Sequence, residues 1–276
     1  MVVSTLVISA SSDIGFEFVK NRSLNGECVF GTYRDTSSQH KLNEFCQHTF
    51  RLDLSNKSSY DDFILYLKEN RICWDKVLFC PCQPFPYKDF FEGSFQEWYE
   101  SFLLNSINQL DLLHRIYYFR SKRSKVMFFA GGGSNSAVAK FSAYTSAKIH
   151  LIKMIELLDY ENKDIIFSIL GPGWVKTKNH LLALKHSDKD SEKYKTTKEF
   201  LESPKGATPI EDVIESINWI FSQEKDVVGG RNFSTAYDPW PLDDPRNQEL
   251  VDQLISDMSM FKLRRSGNSL FPDKRY

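Results

Sequence analysis

Strand-length and helix-length patterns alternate along nearly the whole of this sequence, and that alternation limits the fold more than any other feature. Apolar and β-branched runs suited to strands lie at 2–9, 28–33, 49–54, 76–80, 125–130, 164–170 and 232–235. Helical spacing of apolar positions covers 14–24, 37–46, 96–119, 142–158 and 210–222, and a further helix capped by Asn56 or Ser58 runs through Leu67. Strands that alternate with helices pair in parallel through right-handed crossovers. The predicted class is therefore α/β, a single doubly wound parallel sheet flanked by helices.

No repeat or low-complexity tract interrupts the series, so 1–240 reads as one domain and 241–276 as a C-terminal extension. Two segments break the rhythm. Residues 176–204 are polar and Lys-rich, the character of a substrate lid or of a plain pair of surface helices, and 238–276 opens on Asp-Pro-Trp-Pro. With 41% hydrophobic and 14% aromatic residues the chain can bury a sizeable core. Its 35 Lys+Arg against 36 Asp+Glu give no field to attract nucleic acid or an anionic membrane. The expected partner is a small-molecule substrate, with no nucleic acid and no membrane. The first residues carry neither a basic leader nor a spanning run, so the expected location is cytoplasmic. Five cysteines, an odd number, argue against a disulfide framework; Cys80-Pro81-Cys82 lacks the second ligand pair of a zinc site, so no metal is expected.

The first strand-to-helix turn reads Ser9-Ala10-Ser11-Ser12-Asp13-Ile14-Gly15. Small residues before a helix N-terminus suit a pyrophosphate, and the same serines suit a simple N-cap. Arg34 stands about 20 residues on, with no carboxylate at the strand end itself, where a guanidinium can pair with a 2′-phosphate. That tilts the cofactor to NADP(H), with NAD(H) as the alternative. Asp53 at the end of the third strand either meets an adenine or caps its own turn. In Ser142-Ala143-Tyr144-Thr145-Ser146-Ala147-Lys148, a spacing of four puts Tyr144 and Lys148 on one helix face. An ammonium there would lower the phenol's pKa and yield a proton donor usable near neutral pH.

In this order the motifs resemble the compact, single-domain branch of the short-chain dehydrogenase/reductase family, over about residues 3–235. The resemblance implies a Rossmann-type fold, an NAD(P)-dependent oxidoreductase and a homodimer or homotetramer through the helices of Asn105 and Tyr144. It aligns the first turn with the family's Thr-Gly-x-x-x-Gly-x-Gly region, so that Ser9, Ser11, Ser12, Asp13, Ile14 and Gly15 would hold the cofactor. Asp53, with Leu54, would take the adenine site. Tyr144 would donate the proton, Lys148 would tune it and grip the ribose, and Asn105 would help hold a water and the lysine. Pro172-Gly173-Trp174-Val175-Lys176-Thr177 matches the segment after the sixth strand, with Pro172 and Gly173 shaping it, Val175 addressing the carboxamide through its backbone and Thr177 binding the cofactor.

Three departures stand out. Phe79-Cys80-Pro81-Cys82 replaces the family's Asn-Asn-Ala-Gly, Ser9 and Asp13 stand for two glycines, and Gly131 occupies the catalytic serine's place thirteen residues before the tyrosine. Ser134, Ser136 or backbone N–H groups of the Gly131-Gly132-Gly133 loop are the candidates to orient a carbonyl instead. The expected activity is NADP(H)-dependent interconversion of a carbonyl and an alcohol. The aromatic and basic content of 174–205 and 240–265 suits a sugar-like or phosphorylated substrate, or simply charged surface helices. A catalytically degenerate dinucleotide-binding sensor or structural subunit is the alternative, and an epimerase or dehydratase a third reading.

Overall fold

The computed structural model describes residues 4–187, 189, 191–203, 205–238 and 246–264. Strands β1 (Ser4–Ile8), β2 (Cys28–Tyr33), β3 (His48–Arg51), β4 (Trp74–Phe79), β5 (Arg120–Phe129), β6 (Ile165–Gly171) and β7 (Asn232–Ser234) form one sheet in the order β3-β2-β1-β4-β5-β6-β7. Every pairing is parallel, with Leu6 of β1 in register with Phe30 on one side and Val77 on the other. The helices are α1 (Asp13–Leu24), α2 (Gln39–Asn43), α3 (Ser58–Glu69), α4 (Phe95–Phe102), α5 (Asn108–Ile116), α6 (Ser142–Glu161), α7 (Lys178–His186), α8 (Glu192–Glu202), α9 (Ile210–Ser222), α10 (Lys225–Val228) and α11 (Arg246–Ser256).

Because side chains alternate along a strand, the sheet feeds two cores at once. Leu6, Ile8, Val77, Phe79, Val126, Phe128, Phe167 and Ile169 pack with Phe63 and Leu67 of α3, Leu112 and Ile116 of α5, and Leu151 and Ile155 of α6. Val7, Leu78, Met127, Phe129, Ile166 and Leu170 point the other way, onto Phe18 of α1, Val213 and Ile217 of α9, and Leu250 and Leu254 of α11. The end of α11 is held by fully buried Arg231, whose guanidinium donates to Leu254 O, Asp257 O and Met260 O, satisfying carbonyls a helix end leaves open.

Several boundaries differ from the sequence expectation, each for a local reason. The helix expected over 37–46 is a 3₁₀ turn, Thr36–Ser38, followed by the short α2. Strand β3 stops at Arg51 because Asp53 accepts from Ser55 N at 2.9 Å and closes a turn. Strand β5 starts at Arg120, ahead of a register shift opposite Trp74 and Lys76. The helix expected over 96–119 is broken by a π-turn, Leu103–Ile107. There Asn105 Nδ2 donates to Ser101 O at 2.9 Å, a side-chain donor competing for the carbonyl four residues back. Segment 176–204 is built on α7 and α8, its Pro204 lying outside the described residues. Of the C-terminal segment, residues 239–245 and 265–276 also lie outside them. Among the described residues no helix is long and apolar enough to cross a membrane.

Candidate active site

The strand order reverses between β1 and β4, and the crevice beyond their carboxyl ends is where a doubly wound sheet binds its ligand. The turn from β1 into α1 lines it. Ser9 takes φ 59°, the left-handed region that favours glycine, and its N–H donates to Thr32 Oγ1 at 2.9 Å. The backbone thus keeps a glycine-like shape with a serine in place. Ser12 is the N-cap of α1, its Oγ accepting from Gly15 N at 3.1 Å. A Cβ on Gly15 would fall 2.8 Å from Ser9 O, so this glycine lets the helix start tight against the turn. The cap is therefore formed, with Ser11, Asp13 and Ile14 grouped around the helix N-terminus. Asp13 Oδ2 accepts from Lys178 N at 2.7 Å, and Lys178 Nζ donates to Ser11 O at 2.6 Å, tying the start of α7 across the crevice. Sequence reasoning missed Lys178, because nothing local marks it among the many lysines of that segment.

At the far end Arg34 follows β2 and is exposed. Arg51, the last residue of β3, donates from Nε to Arg34 O at 3.2 Å, a second arginine that the sequence did not single out. An acid does follow at once: Asp35 accepts from Ser37 N at 3.0 Å, and that bond holds its carboxyl below the usual value. Asp53 is spent on its own turn, and Leu54 is buried with its carbonyl accepting from Tyr60 OH at 2.7 Å. Of the two readings of Asp53, the turn cap is the bond actually made.

Tyr144 and Lys148 face the carboxyl end of β5 from α6, 9% and 1% exposed. Lys148 Nζ lies 5.7 Å from the centre of the Tyr144 ring and donates to Phe129 O at 2.9 Å. Burial pushes the Tyr144 phenol well above its ordinary pKa, with Cys82 and Tyr87 adding to the rise, and pulls the Lys148 ammonium down. The expectation that Lys148 lowers the phenol's pKa is thus corrected: both groups are buried, and the ammonium is committed to a carbonyl. Among the described residues the hydroxyl's hydrogen-bonding partner is Cys82 Sγ, at 3.7 Å. Cys80, beneath the first turn, has its thiol pushed up to about 12 by burial.

Gly131 lies against the Tyr144 ring. A Cβ there would lie 2.5 Å from Tyr144 Cε1 and 2.6 Å from its hydroxyl oxygen, so the ring occupies the space a side chain would need. Ser134 is half-buried and Ser136 exposed on the loop between β5 and α6. Asn105 is fully buried in the π-turn, with Nδ2 donating to Gln83 O at 2.7 Å and Oδ1 accepting from Gln83 N at 2.9 Å. This amide ties down the loop after β4.

After β6, Pro172 is half-buried and Gly173 takes φ +74°, where a Cβ would meet Thr208 Oγ1 at 2.2 Å. Val175 is buried, and Thr177 begins α7 in a reciprocal capping box with His180. Among the described residues no group of three or more His, Cys, Asp or Glu side chains could hold a metal ion.

No protein-family model matches the sequence, and no curated protein matches it. Solved structures do match the fold. A short chain dehydrogenase/reductase from Saccharomyces cerevisiae superposes with TM-score 0.75 at 18% identity, covering 90% of this chain and 99% of its own. The chain has the short-chain dehydrogenase/reductase fold. A short chain dehydrogenase from Shigella flexneri, complexed with NADP, gives 0.71 at 18% identity, over 84% of this chain and 96% of that one. The aldohexose dehydrogenase of Thermoplasma acidophilum gives 0.72 at 13% identity, over 88% and 97%.

Proposed function

We propose that this chain is an NADP(H)-dependent oxidoreductase that interconverts a carbonyl and an alcohol on a small substrate, with NAD(H) as the alternative cofactor. One observation carries the reading: Tyr144 and Lys148 are buried one turn apart on α6, beside the crevice of a doubly wound sheet. The crevice suits a dinucleotide. The glycine-like turn at Ser9 and the N-terminus of α1 suit a diphosphate held by Ser9, Ser11, Ser12, Ile14 and Gly15, while Asp13 needs the Lys178 cation nearby to tolerate it. Arg34 and Arg51 suit a 2′-phosphate, with Asp53 and Leu54 near the adenine. Pro172, Gly173, Val175 and Thr177 would line the nicotinamide side.

A bound nicotinamide supplies or accepts the hydride at the substrate carbon. Tyr144 holds the proton the carbonyl oxygen gains, and its raised pKa keeps the phenol protonated at neutral pH, the state reduction requires. Lys148 would grip the ribose and tune Tyr144 once drawn from Phe129 O, Asn105 would keep the neighbouring loop in place, and Ser134 or Ser136 would orient the carbonyl. A sugar-like or phosphorylated substrate is supported by the Lys-rich α7–α8 lid and by the sugar-oxidising neighbour from Thermoplasma acidophilum. The exposed Phe91, Phe95 and Tyr99 beside α6 support a homodimer or homotetramer, and the same reading keeps 1–240 as one cytoplasmic catalytic domain with 241–276 as its extension.

The sensor reading draws on a specific feature, the Lys148 ammonium spent on Phe129 O. A binding panel of NADPH, NADP, NADH and NAD, followed by aldohexose, sugar-phosphate and aromatic carbonyl substrates monitored by cofactor absorbance, separates the two. Tight NADPH binding with turnover supports the reductase. Binding without turnover makes the chain a sensor, and no binding defeats both.

A further inference from the structure

Building on the reductase reading, we propose that Cys82 is a positioning residue for Tyr144, supplying from the β4–α4 loop the hydrogen-bonding partner that position 131 cannot. Position 131 carries no side chain, and the Tyr144 ring lies 2.5–2.7 Å from where a Cβ would sit. The ring rests on bare backbone there, and its hydroxyl meets Cys82 Sγ across a separation of 62 residues. A distance of 3.7 Å is long for oxygen or nitrogen and ordinary for sulfur, whose S–H is a weak donor.

The placement of Cys82 is built. The residues on both sides of it are held by side chains from the helical segment opposite: Gln109 Nε2 donates to Pro81 O at 3.3 Å, and Asn105 bonds both the N–H and the carbonyl of Gln83. Asn105 and Gln109 are each 0% exposed. The bonds these two amides do make fix the backbone on either side of one thiol. Cys82 itself is exposed while Tyr144 is buried, so a carbonyl oxygen that takes the phenol's proton arrives at a hydroxyl already in contact with the thiol. With S–H donating to the phenol oxygen, the hydroxyl rotor is fixed and its own proton is left for the carbonyl. No bond to sulfur forms or breaks.

The first test needs no turnover. The pH dependence of Cys82 alkylation by iodoacetamide is followed by peptide mapping, which separates it from the other four cysteines, in the native full chain and in Tyr144→Phe. Loss of the hydroxyl should change the Cys82 rate by about 3-fold or more; superimposable profiles overturn the proposal. The second test uses a carbonyl substrate found in the panel above. Cys82→Ala should lower kcat by about 3- to 10-fold with the KM for NADPH unchanged, and Cys82→Ser, which keeps a donor, should recover most of the loss. Equal losses in both variants, or none in Cys82→Ala, overturn it. If no carbonyl is turned over, the reductase reading fails by itself, and the alkylation profiles still decide whether Cys82 is coupled to Tyr144.

Discussion

The two ends of the parallel sheet handle buried polar groups in opposite ways. At the amino end, Glu27 sits between Arg22, Lys76 and Thr5, with Lys76 Nζ at 2.9 Å and Thr5 Oγ1 at 2.8 Å. Burial alone would raise its pKa, but the hydrogen bonds from Arg22, Lys76 and Thr5 outweigh it and hold the carboxyl at about 2. At the carboxyl end, burial pushes the Tyr144 phenol up and the Lys148 ammonium down, and among the described residues no carboxylate lies within ion-pair distance of Lys148. The same desolvation acts on Glu27 and on Lys148, and among the described residues only Glu27 meets it with opposite charge in ion-pair contact. Groups in this condition beside a crevice fit the proposed site, whereas a fully paired cluster serves the fold.

The sharpest way to break this contrast is Tyr144→Phe. If the carboxyl end serves chemistry, kcat should fall by about 10²–10⁴-fold while NADPH affinity, read by cofactor fluorescence, is kept. Lys148→Ala should damage both, since the proposed ribose contact would be lost as well. A Tyr144→Phe chain that loses its fold instead would put Tyr144 in the same class as Glu27.

The contrast is sharpened from the other side by acid unfolding. With a folded pKa near 2 against an ordinary 4.5, Glu27 contributes stability that is fully present above pH 4.5 and is lost as the pH falls through about 2. The shift corresponds to about 3 kcal/mol, and Glu27→Gln should cost a similar amount at pH 7, read as a lowered urea midpoint. Its stability should then vary less between pH 5 and pH 2 than that of the native chain. A variant with an unchanged midpoint and unchanged pH dependence would remove the amino-end cluster from the comparison.

What the sequence disclosed follows the range over which each signal acts. The seven strands were legible because runs such as 5–8 and 165–170 are buried on both faces, and Tyr144 with Lys148 was legible because a spacing of four is a local property of a helix. The direction of the Tyr144 shift was not, since four-residue spacing says nothing about desolvation or about Phe129 O as the ammonium's acceptor. The crowding of Gly131 by the Tyr144 ring was not legible either, because it exists only after α6 has docked. Cys82 and Lys178 escaped for the same reason, their partners lying 62 and 165–167 residues away.

The smallest expected effect concerns the ribose end of the crevice, which belongs to neither extreme. Arg34 is exposed, so water screens any charge-assisted bond it makes to a 2′-phosphate, and its worth is nearer to about 1 kcal/mol than to that of a buried pair. Arg34→Ala should therefore weaken NADPH by about 5- to 10-fold and leave NADH nearly untouched. Because Arg51 is bonded to the Arg34 carbonyl rather than to its side chain, its position survives that substitution, and Arg34→Ala with Arg51→Ala should cost more than either alone. Raising the salt concentration should shrink the NADPH advantage of the native chain, as it does for any exposed pair. Equal weakening of both cofactors would mean that Arg34 acts through the shape of its turn, in which Asp35 and Ser37 are already bonded, and would return the choice between NADP(H) and NAD(H) to residues on the other side of the crevice.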